Sequence, residues 1–224
     1  IVPPKNYFRR MAETCRKHGI LVVDDEIQMG FYRTGKMWAI EHFDIAPDIL
    51  VFGKALTNGL NPISGLWARE DLITPAKFGP GSTHSTFSSN TLGTATGLAV
   101  MKELAKPGWE EKVMAKGAVF LEGLKALQKK HPEIGDVDAL GLALRMEMCE
   151  ADGRTPSRRL ADRMFQIGLQ GHVDVAGRNM GLVLDIGGYF KNVVTLAPSL
   201  DITKDEMDLG LKLLDRLLQR AGRK

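Results

Sequence analysis

Apolar and polar positions fall into two rhythms along this chain. Residues 6–18 place apolar side chains at helical spacing and end at Gly19, which predicts an amphipathic helix. The apolar run Ile20–Val23 then predicts a strand, and it runs directly into the acids Asp24, Asp25 and Glu26. A polar loop around Gly30–Gly35 and a short helical piece lead to a turn at Pro47-Asp48. A second apolar run, Ile49–Phe52, predicts a strand ending at Gly53-Lys54. Ile63–Ala68 reads as a further strand of either direction. Helix and strand alternate in this stretch, which argues for an α/β sheet with mainly parallel pairing.

The loop Gly79–Ser89 is rich in Gly, Ser and Thr. A long helix is expected from Asn90 to Ala105, ending before Pro107, and a second over 109–130. The character then changes. Strands Gly141–Met148, Met180–Asp185 and Val193–Ala197 alternate with a helix over Pro156–Gly168, as in a smaller α+β domain. We therefore divide the chain into residues 1–105, part of a large domain, and 106–224, a linking helix and a small C-terminal domain. The last helix begins at Thr203, with Glu206 forming a capping box. Its apolar stripe is Met207, Leu211, Leu214 and Leu218, the pattern of a core-facing helix.

Composition changes this picture little. The chain has 224 residues, 44% apolar and 25% charged, and a formal net charge of +3. These values suit a globular protein and give no basic groove for nucleic acid. No apolar stretch approaches the roughly 20 residues that span a bilayer, and no membrane partner is expected. Cys15 and Cys149 lack metal or redox spacing and read as buried free thiols of a cytoplasmic protein. The five histidines are scattered, with no metal-ligand spacing. The opening Ile-Val-Pro-Pro-Lys is neither a signal nor a transit peptide, and it suggests a piece of something longer.

Chemistry concentrates where the first two strands end. A carboxylate at Asp25 and an amine at Lys54 can meet at one edge of a parallel sheet, where open α/β sheets bind ligands. Asp25 could cap a turn, hold a protonated heterocyclic nitrogen, or ligate Mg²⁺. The Mg²⁺ reading needs a phosphate-binding Gly-rich loop, and neither GxxxxGK[ST] nor GxGxxG occurs. Lys54 could be a plain surface lysine, a phosphate partner or a Schiff-base former. Its uncharged neighbours Phe52-Gly53 and Ala55 suggest partial desolvation, which would lower its pKa. In Thr83–Asn90, hydroxyls and amides before a helix could hold a phosphate, or simply cap the helix.

The segment Asp25-Glu-Ile-Gln-Met-Gly-Phe-Tyr-Arg-Thr-Gly-Lys36 closely resembles the signature of class III (ornithine/GABA-type) aminotransferases. The resemblance extends through Pro47-Asp48, Phe52–Leu56, Ser64-Gly65, Ser85-Thr86-Phe87 with Asn90, Ala197-Pro198, and the opening Val2-Pro-Pro with Tyr7-Phe8. It implies a fold-type I enzyme using pyridoxal 5′-phosphate, of which this chain is the C-terminal half. It further implies that Lys54 forms a Schiff base with the cofactor and carries the proton at the substrate's Cα. Asp25 would pair with the pyridinium nitrogen, Ile27 pack on the ring, and Gln28 lie near the phenolic oxygen. Thr86 would bind the phosphate across a homodimer with shared active sites. The substrates implied are an amino donor and a 2-oxo acid. A racemase or epimerase of the same family, or an incomplete fragment, are the alternative readings.

Two positions and the length depart from the family pattern. Thr195, in Thr195-Leu-Ala-Pro-Ser-Leu200, stands where an arginine often clamps a substrate carboxylate, which leaves the substrate open and suggests weak activity toward ornithine-like donors. Tyr32 stands where glycine is common and reads as a surface ring. The N-terminal part that family members carry, with its phosphate turn, stacked aromatic and further strands, is expected as a necessary partner. Without it, sheet edges and apolar helix faces should lie uncovered.

Overall fold

The computed structural model describes residues 1–222. Its chain forms two compact units, one of residues 3–111 and one that begins at Lys112 and takes in Ile1–Val2.

In the first unit, helix α1 (Tyr7–Lys17) has few buried positions and holds on by its aromatic end. Phe8 meets Phe43 edge-on at 4.8 Å. Strands β1 (Val23–Asp25), β2 (Ile49–Phe52) and β3 (Gly65–Ala68) form a three-stranded sheet in that order. β1 and β2 are parallel, and β3 runs antiparallel to β2. The apolar run Ile20–Val23 is thus a poor marker of the first strand, since pairing begins only at Val23, opposite Ile49. Asp48 fastens the start of this sheet. Its carboxylate accepts the Val22 N–H at 2.7 Å and pairs with Arg69, which also grips Asp71. Helix α2 (Thr91–Leu104) begins at Asn90, whose side chain accepts the Gly93 N–H at 2.6 Å. Apolar side chains remain exposed on this unit: Ile20 and Leu21 ahead of β1, Val23 on it, Leu66 and Trp67 on β3, Leu92 and Leu98 on α2.

The second unit is entered along helix α3 (Trp109–Lys130). Strands β4 (Ile134–Leu140) and β5 (Ala143–Met148) follow, then helix α4 (Arg158–Gln170). A hairpin of β6 (Val173–Val175) and β7 (Arg178–Met180) precedes β8 (Asp185–Gly187), β9 (Val193–Leu196) and helix α5 (Lys204–Gly222). The main sheet has the order β4-β5-β9-β8 and is antiparallel throughout. Alternation along β5 buries Leu144, Met146 and Met148 and turns Arg145 and Glu147 to the other face. Val194 of β9 joins this core, as do Met164 of α4 and Leu214 and Leu217 of α5. Thr203 caps α5 as its sequence suggests: its hydroxyl accepts the Glu206 N–H, and Glu206 accepts the Thr203 N–H at 2.8 Å. Met207, Leu214 and Leu218 of the expected stripe are buried, and Leu213 and Leu217 widen it. Leu211 is half-buried.

Two strand readings need correction. Met180–Asp185 is not a strand: the chain closes β7 at Met180 and opens β8 at Asp185. β4 has no counterpart among the expected strands, because Gly135 and a register shift between Ile134 and Asp136 break its alternation. Cys149 is buried but Cys15 only partly so, and both are free thiols. Among the described residues no helix is long and apolar enough to cross a membrane, and no group of acids, histidines and cysteines could hold a metal ion.

Candidate active site at the carboxyl edge of the sheet

β1 and β2 run side by side, so their carboxyl ends open at the same edge. Asp25 ends β1 and pairs with Val51. Lys54 leaves β2 just beyond Phe52-Gly53 and starts a 3-10 turn, Lys54–Thr57. An amine and a carboxylate therefore emerge from adjacent parallel strands at the edge where such sheets bind ligands. Asp25 Oδ1 accepts the Ile27 N–H at 3.1 Å, a local turn that fixes the carboxylate as the chain leaves the strand. Ile27 is half-buried, and Asp25 and Gln28 are exposed.

Lys54 corrects one expectation. It is exposed in this chain rather than desolvated by its apolar neighbours. Its distinctive property is its backbone, which sits at φ +40° in the left-handed region. A side chain there is strained, and such strain is characteristic of functional positions. Among the described residues Lys54 has no ion-pair partner. Helix α2 packs over the turn that Lys54 begins, with Gly97 against Leu56 at the distance of ordinary contact.

The loop after Asp25 is held by an aromatic cluster. Phe31 is buried between Trp38 and Phe52, at ring distances of 5.1 and 6.2 Å. Phe31 and Tyr32 both take left-handed backbone, at φ 59° and 64°. Gly30 permits this fold-back: a Cβ there would come within 2.9 Å of the Trp38 ring and the Glu26 carbonyl. Tyr32 is half-buried, and so less a free surface ring than its sequence suggests. Burial lowers the pKa of Arg33.

Thr86 lies in an exposed loop whose hydrogen bonds are its own, among them Ser88 Oγ to the Ser85 carbonyl at 2.9 Å. No hydrogen bond ties Thr86 to Asp25 or Lys54 among the described residues. His84, in the same loop, is exposed. Thr195 lies in the second unit, on β9 opposite Arg145 of β5, and donates its hydroxyl to the Asp185 carboxylate. Arg145 is itself enclosed by acids, pairing with Asp136 at 2.5 Å, Asp138 at 3.7 Å and Glu147 at 3.9 Å.

Sequence reasoning passed over Asp24 and Glu26. Glu26 is 1% exposed, and its Oε1 accepts the Ile40 N–H at 2.8 Å. Asp24 is half-buried. Desolvation, and then the neighbouring charges of Glu26 and Asp25, push its pKa from 3.8 up to about 7. The available signal was spacing: residues two apart on a strand share a face.

The amine of Lys54 can bind an aldehyde and the strand-end carboxylate of Asp25 can hold a basic ring nitrogen. The hydroxyls of the Thr86 loop could receive a phosphate, but no hydrogen bond joins that loop to this edge among the described residues. The family model for class III aminotransferases matches residues 1–218. An ornithine aminotransferase of Exiguobacterium is 33% identical over 99% of this chain and 50% of its own length. An acetylornithine aminotransferase of Caldanaerobacter subterraneus is 34% identical over 95% of this chain and 48% of its own. Among solved structures, a transaminase from the marine bacterium Virgibacillus superposes with a TM-score of 0.85 at 27% identity, over 99% of this chain and 50% of that one. The chain spans about half the length of the curated relatives it matches. With a family match over nearly its full length, and an α/β fold shared with solved transaminases, this chain belongs to the class III aminotransferases.

Proposed function

We propose that the protein containing this chain transfers an amino group from an amino donor to a 2-oxo acid, using pyridoxal 5′-phosphate held at the edge formed by Asp25 and Lys54. The observation that carries this reading is their emergence from adjacent parallel strands, with Lys54 unpaired and strained. When bound, the cofactor supplies an aldehyde that captures amines and a ring that draws electrons from the substrate's Cα. Lys54 Nζ would hold that aldehyde, and as a free amine it would take the substrate's Cα proton and keep it for redelivery, a role worth typically about 10²–10⁴-fold in rate. Asp25 would keep the ring nitrogen protonated through a charge-assisted hydrogen bond. Ile27 would offer an apolar contact to the ring, Gln28 a hydrogen bond to its oxygen, and Thr86 a hydroxyl to the phosphate.

On this reading Thr86 serves the site of a second copy in a homodimer. The exposed apolar residues of β1, β3 and α2 are suited to cover by the rest of the protein, since the relatives are about twice as long. Thr195 cannot hold a substrate carboxylate as a cation, and Arg145 opposite it is engaged by acids. We therefore expect poor turnover of ornithine-like donors. Incubation of the protein with candidate donors in deuterated water distinguishes the chemistries. Release of an oxo product supports transamination; inversion with deuterium at Cα and no oxo product makes it a racemase, as in the Pyrococcus horikoshii alanine/serine racemase that is 28% identical.

A further inference from the structure

Asp24 and Glu26 lie two residues apart at the end of β1 and share one face, while Asp25 turns to the other. Asp24 Oδ2 and Glu26 Oε2 are both buried, and no N–H or O–H among the described residues donates to either. Burial and the neighbouring charge of Glu26 act together on Asp24. Two carboxylates brought together have no hydrogen to share, so a close buried pair needs a proton.

We propose that Asp24 and Glu26 form a carboxyl dyad that shares one proton at neutral pH behind the strand end presenting Asp25, and that Asp24 is thereby a positioning residue for Asp25. With the proton in place the dyad carries a single charge and closes β1 against Ile40. Without it, two like charges face each other in a desolvated space beside a third, Asp25, and the strand end loosens. The residues Ile49–Phe52 of β2 are uncharged. Asp48 before them pairs with Arg69. On the 3-10 turn Ala39–Phe43, Glu41 accepts the Trp38 N–H and His42 bonds Thr34. In the loop, Lys36 pairs with Glu110, and Arg33 is half-buried. The charges that act on Asp24 are Glu26 and Asp25. The dyad stands without the reading of Asp25 as a cofactor partner; its consequence for catalysis rests on that reading.

The sign follows from linkage. A carboxyl whose pKa is higher folded than unfolded binds its proton more tightly in the folded state. Stability is therefore greatest where the dyad is protonated and declines as pH rises from about 4 through about 7. Infrared spectra of the intact protein across this range test the proposal. Wild type should show a protonated-carboxyl C=O stretch that disappears around neutral pH, and Asp24→Asn should lack it. The melting temperature of wild type should fall over the same range more than that of Asp24→Asn, whose amide donates to Glu26 at every pH. Should that variant not fold, Glu26→Gln is measured in its place with the same expectation. A band that persists in the variants, or parallel melting profiles, overturns the dyad. Trapping of pyridoxal phosphate on Lys54 is scored separately. Trapping without a titrating band rejects the dyad alone, and a titrating band without trapping rejects only the reading of the site.

Discussion

Lys54 holds a left-handed backbone at φ +40°, and this makes a prediction about stability rather than activity. Lys54→Ala and Lys54→Gly both delete the amine, so a comparison of the two isolates the backbone. For a residue with a Cβ, left-handed geometry costs about 1–2 kcal/mol. Glycine escapes this cost but loses about 0.4–1 kcal/mol through the greater freedom of its unfolded chain. The difference leaves Lys54→Gly more stable than Lys54→Ala by about 0.5–1 kcal/mol. With a urea dependence of about 2 kcal/mol per molar, the unfolding midpoints should separate by about 0.2–0.5 M. Urea unfolding followed by circular dichroism measures this directly. If Lys54→Ala proves equally or more stable, the strain assigned to the site is absent, and the argument that a lysine is kept there at a cost fails.

Other expectations concern the second unit. Gly117→Ala puts a Cβ 2.0 Å from the Gly141 carbonyl and should destabilise by about 2 kcal/mol, whereas Gly210→Ala meets only the Phe120 ring at 3.7 Å and should stabilise by about 0.5–1 kcal/mol. Equal shifts in their melting temperatures would contradict the packing described. Leu214→Ala removes a side chain that is 1% exposed and should cost about 3 kcal/mol in chemical denaturation. Thr203→Ala removes the cap of α5 and should cost about 1 kcal/mol. The pKa of Glu206 is lowered by hydrogen bonds from the Thr203 backbone and side chain. Its contribution is present above the unfolded value of 4.5 and lost as pH falls through the lower folded one, so Thr203→Ala should weaken this acid dependence.

The sequence was most informative where local rules act alone. Asn90 and Thr203 mark helix starts because capping needs only a side chain and the next turn. Asp25 and Lys54 could be placed on one edge because parallel strands share a direction. Legibility fails where pairing decides. Ile20–Leu21 are as apolar as a strand, yet only Val23–Asp25 finds a partner. The β6–β7 hairpin turns on Ala176-Gly177, both with positive φ, and an alanine there hides the usual turn signal. The exposure of Lys54 follows from which parts of the protein surround it, and the 54–57 stretch alone does not carry that information.

In the proposed function the Lys54 amine is the nucleophile of this edge. Incubation of the protein with pyridoxal phosphate, borohydride reduction and peptide mapping tests it most directly. A single stable pyridoxyl mark on Lys54, absent from Lys54→Ala, is expected. A mark spread over surface lysines, or one that persists undiminished in Lys54→Ala, would contradict it.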